Sequence, residues 1–420
     1  MVVISQNSNM CFSDYLSVIL VIVLITLSNS VNGSLTLDQM LLTSFSDLGA
    51  CKFNEPYHDR TLGYIDANAT YYCDQSTPTT MRQKPGITCC TPMTPEHMMV
   101  RFRLFKPGQG EVGDLDWRSV SDSDRLDPER RVVFITHGYL ENPEISTFMY
   151  PMTDGFLTNG DQVVIIDWRH SNSIQYFQSV ANLRVIGAMV GHMIVTLDIA
   201  DRTLFVGFSL GAQMMGEAGR FVKNHNQLIN ECLGLDPAGA GFDGGHEGIR
   251  LTKSDCRVVQ VIHTGSSSTL SSVVGFLSLQ LGTYHKCGHC DFWVNCGHGQ
   301  PKCNLDIDGL VHGLKDILTD HDISKLFTWL GSRVCSHTRA AEVAKSSLLG
   351  LCDYQTEKCH SPWCGEGPWT TWSCSGTGSP GLQLPPLANG CSPDHDANYI
   401  LRTSDFSPWC NPRHHGHRFG

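Results

Sequence analysis

The stretch Thr203-Leu-Phe-Val-Gly-Phe-Ser-Leu-Gly211 decides the fold, because a strand pattern turns into a helix pattern at its serine. Residues Thr203 to Val206 are apolar or β-branched, as in a short buried strand. Glycine stands two residues before and two residues after Ser209, where a sharp strand-to-helix turn has no room for side chains. The pattern from Leu210 to Val222 is helical. The stretch therefore predicts a nucleophile on a tight turn, in front of a helix N-terminus that favours negative charge.

Strand and helix patterns alternate along the chain around this turn. Apolar, β-branched runs are typical of strands covered on both faces. These runs are Met99–Phe105, Val132–Thr136, Val163–Ile166, Cys232–Leu235 and Val258–Ile262. From Gln178 to Ala200, apolar residues recur at helical spacing. The alternation predicts a mostly parallel sheet with crossover helices, and together with the turn it predicts the α/β-hydrolase fold.

The composition limits the partners of the chain. The 420 residues are 41% hydrophobic and 17% charged, which is usual for globular proteins. The formal net charge of -11 argues against nucleic acid and against anionic membranes as partners. A neutral lipid surface is compatible with this charge, because apolar contact would drive the association.

The N-terminus carries the apolar run Tyr15 to Leu27, which is shorter than the roughly twenty residues needed to span a bilayer. It fits a signal peptide with a cleavage region from Ser28 to Gly33, so a secreted, extracellular protein is predicted. An uncleaved membrane anchor is the alternative, since no Lys or Arg precedes the run. In a secreted chain, Asn68-Ala-Thr70 is an acceptor for N-glycosylation.

The 18 cysteines agree with secretion, because disulfides persist in oxidising compartments. Removal of Cys11 with the signal peptide leaves an odd number, so one thiol is free or pairs between chains. The close spacings of Cys287 with Cys290 and of Cys359 with Cys364 would also suit zinc. Disulfides are favoured in a cysteine-rich secreted chain.

We expect four segments along the chain. They are a signal peptide (1–33), a cysteine-containing N-terminal extension (34–95), the hydrolase domain (96–410) and a disordered tail (411–420). Within the domain, residues 352–410 hold six cysteines among many Gly, Pro and Ser residues, which predicts an irregular, disulfide-rich C-terminal lobe.

A nucleophilic serine needs a histidine base and an acid to orient that base, and in α/β-hydrolases they follow in the order Ser, acid, His. Asp236 lies where a strand ends before Pro237, at the sheet edge where such an acid belongs. Asp243 and Asp255 are rivals by order alone. Order does not select the histidine either. The candidates are His263, His289, His312, His321 and His337.

The oxyanion hole should combine two backbone N–H groups. One is that of Leu210, directly after the nucleophile, and the other comes from the loop after an earlier strand. Tyr139 follows the strand Val132–Thr136 and fits this second donor, while Gly138 would allow the loop a close approach.

At this point the chain resembles the animal pancreatic lipase family, which includes lipoprotein lipases and arthropod phospholipases A1. The matching stretches are Ile135–Tyr139, Asp167–Trp168, Val206–Ala212, Gly216–Gly219, Gly234–Ala238, Val261–Thr264, Gly288–Phe292 and Cys335–His337. The resemblance implies a triad of Ser209, Asp236 and His337, because the family's base follows the cysteine that closes its lid loop. It implies Tyr139 and Leu210 as oxyanion donors. His263 and His289 match family positions outside the triad.

The resemblance also maps the family's calcium loop onto Glu247, Arg250, Thr252 and Asp255. Thr252 stands where pancreatic lipases have a carboxylate, which removes a charged ligand from the set. A structural calcium ion is therefore an open expectation, and the chemistry requires no cofactor.

Three further departures from the family pattern matter. Phe208 stands where histidine is common, a change that should leave the triad intact. Cys290 and Cys296 interrupt the Gly-His segment, so additional disulfides are expected there. The chain ends soon after Thr403, so we expect no C-terminal β-sandwich of the family type and no dependence on a colipase-like partner.

The segment from Cys303 to Cys335 matches the family's lid. It carries two apolar stripes at helical spacing. The first is Leu310, Val311, Leu314, Ile317 and Leu318, and the second is Ile323, Leu326, Phe327 and Leu330. Two core-facing helices are the alternative interpretation. In this family a long lid and a long loop such as Gly265 to Cys287 go with triacylglycerol hydrolysis at a lipid–water interface. Phospholipase A1 activity and a catalytically silent lipid carrier are the alternatives.

Overall fold

The computed structural model describes residues 57–59, 61–65, 92–172, 176–243, 247–266, 281–297, 299–303, 324–352, 354, 356–359, 391–394 and 396–409. The predicted signal peptide, the glycosylation acceptor Asn68 and the predicted tail lie outside these ranges. So do most of the N-terminal extension and residues 304–323 of the predicted lid, with its first apolar stripe and two of the histidine candidates.

One large sheet organises the described residues, and a small antiparallel pair, β1 (Tyr57–Asp59) and β2 (Gly63–Ile65), precedes it. The strands of the large sheet are β3 (Arg101–Lys106), β4 (Gly110–Leu115), β5 (Val132–Thr136), β6 (Gln162–Asp167), β7 (Thr203–Phe208), β8 (Ile229–Leu235), β9 (Cys256–His263), β10 (Cys290–Val294), β11 (Thr356–Cys359) and β12 (Ala397–Leu401). Their spatial order is β4-β3-β6-β5-β7-β8-β9-β10-β12-β11. All pairings from β6 to β12 are parallel, and β3, β4 and β11 run antiparallel at the edges.

Helices cover both faces of this sheet. They are α1 (Pro95–Met98), α2 (Met149–Thr158), α3 (Tyr176–Thr196), α4 (Leu210–Asn224) and α5 (Ser324–Leu348). Side chains of a strand alternate between faces, so the continuous apolar run of β5 feeds two cores. Val132 and Phe134 join the core under α3 and α4. Val133 and Ile135 join the core under α2 and α5.

Helices α3 and α4 approach each other closely because α3 carries glycine at the contact. A Cβ on Gly187 would lie 2.5 Å from the Cβ of Glu217, and one on Gly191 would lie 2.8 Å from the Cβ of Phe221. Within the described residues, Gln178–Thr196 of α3 is long and apolar enough to cross a membrane, but 78% of that window is buried inside the protein. This burial identifies α3 as a helix of the protein core, packed on one face of the sheet.

The strand predictions are confirmed, with ends that shift by up to three residues, and both predicted helices are present as α3 and α4. The parallel order of the central strands and the strand-to-helix turn at Ser209 confirm the α/β-hydrolase fold.

The C-terminal part of the chain differs from the prediction. Residues 352–410 were expected to form an irregular lobe, yet they supply β11 and β12, which extend the main sheet. β12 pairs in parallel with β10, and the disulfide Cys290–Cys391 joins the two strands near their starts. β11 is short and polar, and β12 is a run of five residues far along the chain from β10, so the sheet partners of the two strands were not readable from the sequence.

The cysteines of the described residues form disulfides as expected. Three are Cys232–Cys256, Cys290–Cys391 and Cys303–Cys335, and they are consistent with an extracellular protein. Cys296 is also disulfide-bonded, which confirms the additional disulfides in the Gly-His segment. Because Cys290 is in a disulfide, the zinc alternative for Cys287 and Cys290 is wrong. Cys287 is a buried free thiol.

Candidate active site

The turn after β7 holds Ser209 in a backbone conformation that few residues adopt. Ser209 has φ 55° and ψ −117°, and α4 begins at the next residue. A Cβ on Gly207 would lie 2.4 Å from the carbonyl oxygen of Gly211, and one on Gly211 would lie 2.6 Å from Thr136 Cγ2. Contacts this short force the backbone to move. The steric reason for the two glycines around Ser209 therefore holds in the structure.

Asp236 and His337 are 101 positions apart in the sequence, and the fold brings them together. Asp236 follows β8 and is fully buried, while His337 lies on α5 and is 7% exposed. The His337 Nδ1–H donates to Asp236 Oδ2 at 2.5 Å. The other carboxylate oxygen, Oδ1, accepts the backbone N–H of Thr264 at 2.8 Å. Both carboxylate oxygens of Asp236 are therefore hydrogen-bonded. The bond to His337 places the ring proton on Nδ1.

Two glycines make room for this carboxylate. A Cβ on Gly282 would lie 2.4 Å from Asp236 Oδ2, and a Cβ on Gly265 would lie 2.6 Å from the same oxygen. Both glycines flank the long loop between β9 and β10, most of which lies outside the described residues. Any side chain at either position would push on the carboxylate, so these glycines belong to the candidate site.

The two rival histidines in the described residues bond to residues of β9 and β10 and not to Asp236. His263 Nε2–H donates to Asp291 Oδ1 at 2.8 Å, and its ring stacks on Trp293 with centroids 3.8 Å apart. His289 Nδ1 accepts the backbone N–H of Val259 at 3.0 Å. His312 and His321 lie outside the described residues.

The rival acids are also occupied elsewhere. Asp243 accepts the hydroxyl of Thr283, and burial raises the pKa of Asp243 to about 7. Asp255 pairs with Arg220 at 3.2 Å. Of the three acids, only Asp236 contacts a histidine side chain that lies next to the Ser209 turn.

The loop after β5 lies directly against the serine. A Cβ on Gly138 would be 3.0 Å from the Cβ of Ser209 and 3.0 Å from the ring of Phe208, so a side chain here would crowd the nucleophile. The loop is held to the end of β6 by His137, whose ring stacks on Trp168 with centroids 5.0 Å apart and 8° between the planes. Burial lowers the pKa of His137 to about 4, so the ring is neutral. Gly138, the residue before Tyr139, thus lies against Ser209, and Leu210 follows Ser209 as the first residue of α4.

Two of the four predicted calcium ligands, Arg250 and Asp255, bind a protein cation instead. Arg220 Nη1 donates to the carbonyl oxygen of Arg250 at 3.0 Å and to Asp255 Oδ2 at 3.2 Å. Thr252 donates its N–H to the same Asp255 oxygen at 2.8 Å, and the Glu247 side chain is 82% exposed. Calcium takes about six to eight oxygen ligands. A donor set already bound by a guanidinium does not fit the ion in this arrangement.

Two residues touch His337 in contacts that the sequence did not indicate. The Phe208 ring packs against His337 with centroids 4.8 Å apart. Thr264 Oγ1 donates to the carbonyl oxygen of His337 at 3.2 Å. Thr264 follows β9 directly, so its place at the carboxyl edge of a parallel sheet was a signal that could have flagged it.

Comparisons with known proteins identify the family of this chain. A sequence model of the Lipase family matches residues 68–367. Human pancreatic lipase-related protein 2 is 31% identical over 267 residues, which cover 61% of this chain and 53% of that protein. The inactive pancreatic lipase-related protein 1 of Mus musculus is 29% identical and covers 64% and 55%. Pancreatic triacylglycerol lipase of Equus caballus is 28% identical and covers 61% and 54%. This chain spans about half the length of these relatives. With the family match over most of its length, the chain belongs to the Lipase family.

Proposed function

We propose that this protein is a serine hydrolase that cleaves carboxylic esters of lipids, with Ser209 as nucleophile, His337 as base and Asp236 as the acid that orients the base. The observation that carries the proposal is the 2.5 Å bond between His337 Nδ1 and Asp236 Oδ2, on the side of the sheet where the Ser209 turn lies. With Nδ1 held by Asp236, Nε2 is the ring nitrogen left to accept the serine proton.

The proposed reaction has two steps. His337 takes the proton from Ser209 as the serine oxygen attacks the ester carbonyl, and Asp236 stabilises the imidazolium that forms. The N–H groups of Tyr139 and Leu210 hold the oxyanion of the tetrahedral intermediate. The intermediate expels the alcohol, which receives the proton from His337. Water, activated by His337, then releases the fatty acid from the acyl-enzyme.

Family membership alone does not decide whether the chain is catalytic, since the name of one relative calls that protein inactive. The catalytically silent lipid carrier is therefore the alternative of a different class. Three features favour catalysis: the strained Ser209, the paired Asp236 and His337, and the close approach of Gly138. Strain of this kind persists where the surrounding structure over-determines it, and it concentrates at active sites.

Triacylglycerol at a lipid–water interface is the substrate that we propose, with phospholipid as the alternative. The disulfide Cys303–Cys335 supports the assignment of the segment between them as a lid, because it ties both ends of that segment two residues from His337. An excursion closed at the catalytic histidine is well placed to cover the cleft in water and to open at a lipid surface. We propose secretion on the signal-peptide pattern, and the disulfides support an oxidising compartment.

The experiment that tests the function compares the purified full-length protein with Ser209→Ala. Release of fatty acid is measured from emulsified triacylglycerol, from phosphatidylcholine vesicles and from a soluble 4-nitrophenyl ester. We expect Ser209→Ala to lower turnover by about three orders of magnitude or more while the unfolding midpoint stays the same. Release chiefly from phospholipid would make the protein a phospholipase A1. No serine-dependent product from any substrate would favour the carrier.

A further inference from the structure

The loop that carries the Tyr139 N–H contains a residue in an unfavourable conformation. Leu140 has φ 55°, in the left-handed region that residues with a Cβ avoid. Such a residue stays in place only where neighbouring groups hold it. The question is therefore what holds the peptide units on both sides of Tyr139.

Asn172, which follows β6, contacts three backbone groups of this loop. Its Oδ1 accepts the N–H of Leu140 at 3.0 Å. Its Nδ2 donates to the carbonyl oxygen of Gly138 at 2.9 Å and to that of Glu141 at 3.1 Å. Asn172 is only 8% exposed, so water does not replace these bonds easily.

Glu141 holds the remaining backbone group before Tyr139. Its Oε2 accepts the N–H of Gly138 at 2.8 Å, and the residue is 7% exposed. Burial raises the pKa of Glu141 to about 7, which means that keeping a carboxyl group here costs free energy when it ionises. Burial of a carboxyl group costs free energy unless hydrogen bonds compensate it, and the bond from Gly138 does so for Glu141.

We propose that Glu141 and Asn172 are positioning residues that clamp the peptide units on both sides of Tyr139, so that its N–H is held ready for the oxyanion. This inference rests on the proposed function. The clamp matters at this point because Gly138, which both residues bind, is the part of the loop in contact with Ser209. A preorganised donor needs no rearrangement as the negative charge develops, and a loosened donor stabilises that charge less.

Four variants of the full-length protein test the clamp. Glu141→Ala removes the acceptor for Gly138, whereas Glu141→Gln keeps an acceptor oxygen without the charge. Asn172→Ala removes all three contacts. The control is Asp161→Ala, because Asp161 is a buried acid paired with Arg131 at 2.8 Å, directly before β6 and at the end of that strand away from Asn172.

Two measurements are made on each variant. The first is kcat and KM on a soluble 4-nitrophenyl ester, which avoids any effect of the lid at an interface. The second is hydrogen exchange of the backbone amides from Gly138 to Leu140. We expect Glu141→Ala and Asn172→Ala to lower kcat by about ten- to a hundredfold, with KM changed by less than about threefold. Glu141→Gln should recover kcat to within about fivefold of the wild type, and exchange should rise only in the two alanine variants.

The outcomes separate the inference from the proposed function. If the wild type is active and the two alanine variants lose no more kcat than Asp161→Ala, the clamp is overturned. If the wild type shows no turnover that depends on Ser209, the proposed function fails. The exchange data then decide the clamp, because unchanged exchange in Glu141→Ala and Asn172→Ala overturns it.

Discussion

The backbone N–H of Ser209 donates to the carbonyl oxygen of Leu235 at 3.0 Å, one residue before Asp236. The carbonyl oxygen of Ser209 accepts the N–H of Ala238 at 3.2 Å, two residues after Asp236. The turns after β7 and β8 are therefore bonded to each other on both sides of the acid. His337 has no such backbone link to Ser209, and it reaches this pair from α5 through its side chain and the hydroxyl of Thr264.

A side chain at Gly282 should disable the acid without touching the serine. The added Cβ of Gly282→Ala would lie within 2.6 Å of three carboxyl atoms of Asp236, which must then move relative to His337. We expect kcat on a soluble ester to fall by at least about tenfold, since general acid–base catalysis depends on this geometry. Gly155→Ala on α2 is the control, because its neighbours are the flexible side chains of Leu348 and Leu349. Full activity of Gly282→Ala would argue against Asp236 as the acid.

The disulfide Cys303–Cys335 should support both stability and turnover. It closes a loop with a sequence separation of 32, and removal of both cysteines should cost about 3 kcal/mol of unfolding free energy in urea. The matched control removes Cys232 in β8 and Cys256 at the start of β9, which have a separation of 24. Both double variants should lose comparable stability. Only the first should also lower kcat, because Cys335 lies two residues from His337. Equal kcat in the two would contradict this.

Glu141 should make the protein less stable as the pH rises. Its pKa is about 7 in the folded protein, above the usual value of 4.5, so between these pH values the folded state holds a proton that the unfolded state has lost. Stability that depends on this group is present below about pH 4.5 and is lost as the pH rises to about 7. Glu141→Gln removes the dependence. We expect this variant to gain up to about 3 kcal/mol relative to the wild type between pH 4.5 and 8.

Urea unfolding of both proteins at several pH values measures this difference. The comparison between the two proteins is essential, because other buried carboxyl groups, such as Asp243 and Asp255, titrate in the same window in both. If the difference in unfolding free energy between the wild type and Glu141→Gln did not change with pH, the pKa of Glu141 would not be raised.

Arg220 should make the loop from Glu247 to Asp255 independent of calcium. We expect a calcium chelator to leave the melting temperature of the wild type unchanged within about one degree, because the guanidinium already pairs with Asp255. Arg220→Met should lower stability by about 3 kcal/mol at pH 8, since it leaves a buried carboxylate unpaired. Calcium should raise the melting temperature only in the variant. A clear loss of wild-type stability with the chelator would restore the predicted calcium site.

Cys287 should be unreactive in the folded protein. The thiol is buried, and burial raises its pKa well above the usual value, so little thiolate is present at neutral pH. We expect iodoacetamide to label Cys287 only after unfolding, as measured by mass spectrometry of peptides under non-reducing conditions. Rapid labelling of the native protein, or a disulfide-linked dimer through this residue, would contradict the burial.

The position of Asp236 as the candidate acid could be predicted from the sequence. A strand that ends at Leu235, followed by Asp236 and Pro237, places a carboxylate at the edge of a parallel sheet, and the neighbouring turn at Ser209 was recognisable by its two glycines. The clamp at Glu141 and Asn172 was not readable, because these residues are 31 positions apart and meet only when the loops after β5 and β6 converge.

The sequence by itself determined the local features of this protein: the central strands, α3 and α4, and the turn that holds Ser209. Each of these depends on a spacing of apolar residues or glycines within one segment. Only the tertiary structure decided which histidine meets Asp236, that β12 extends the sheet beside β10, and that Arg220 occupies the calcium loop. These are contacts between distant segments, and their free energy depends on burial and on hydrogen bonds that exist only once the sheet has formed.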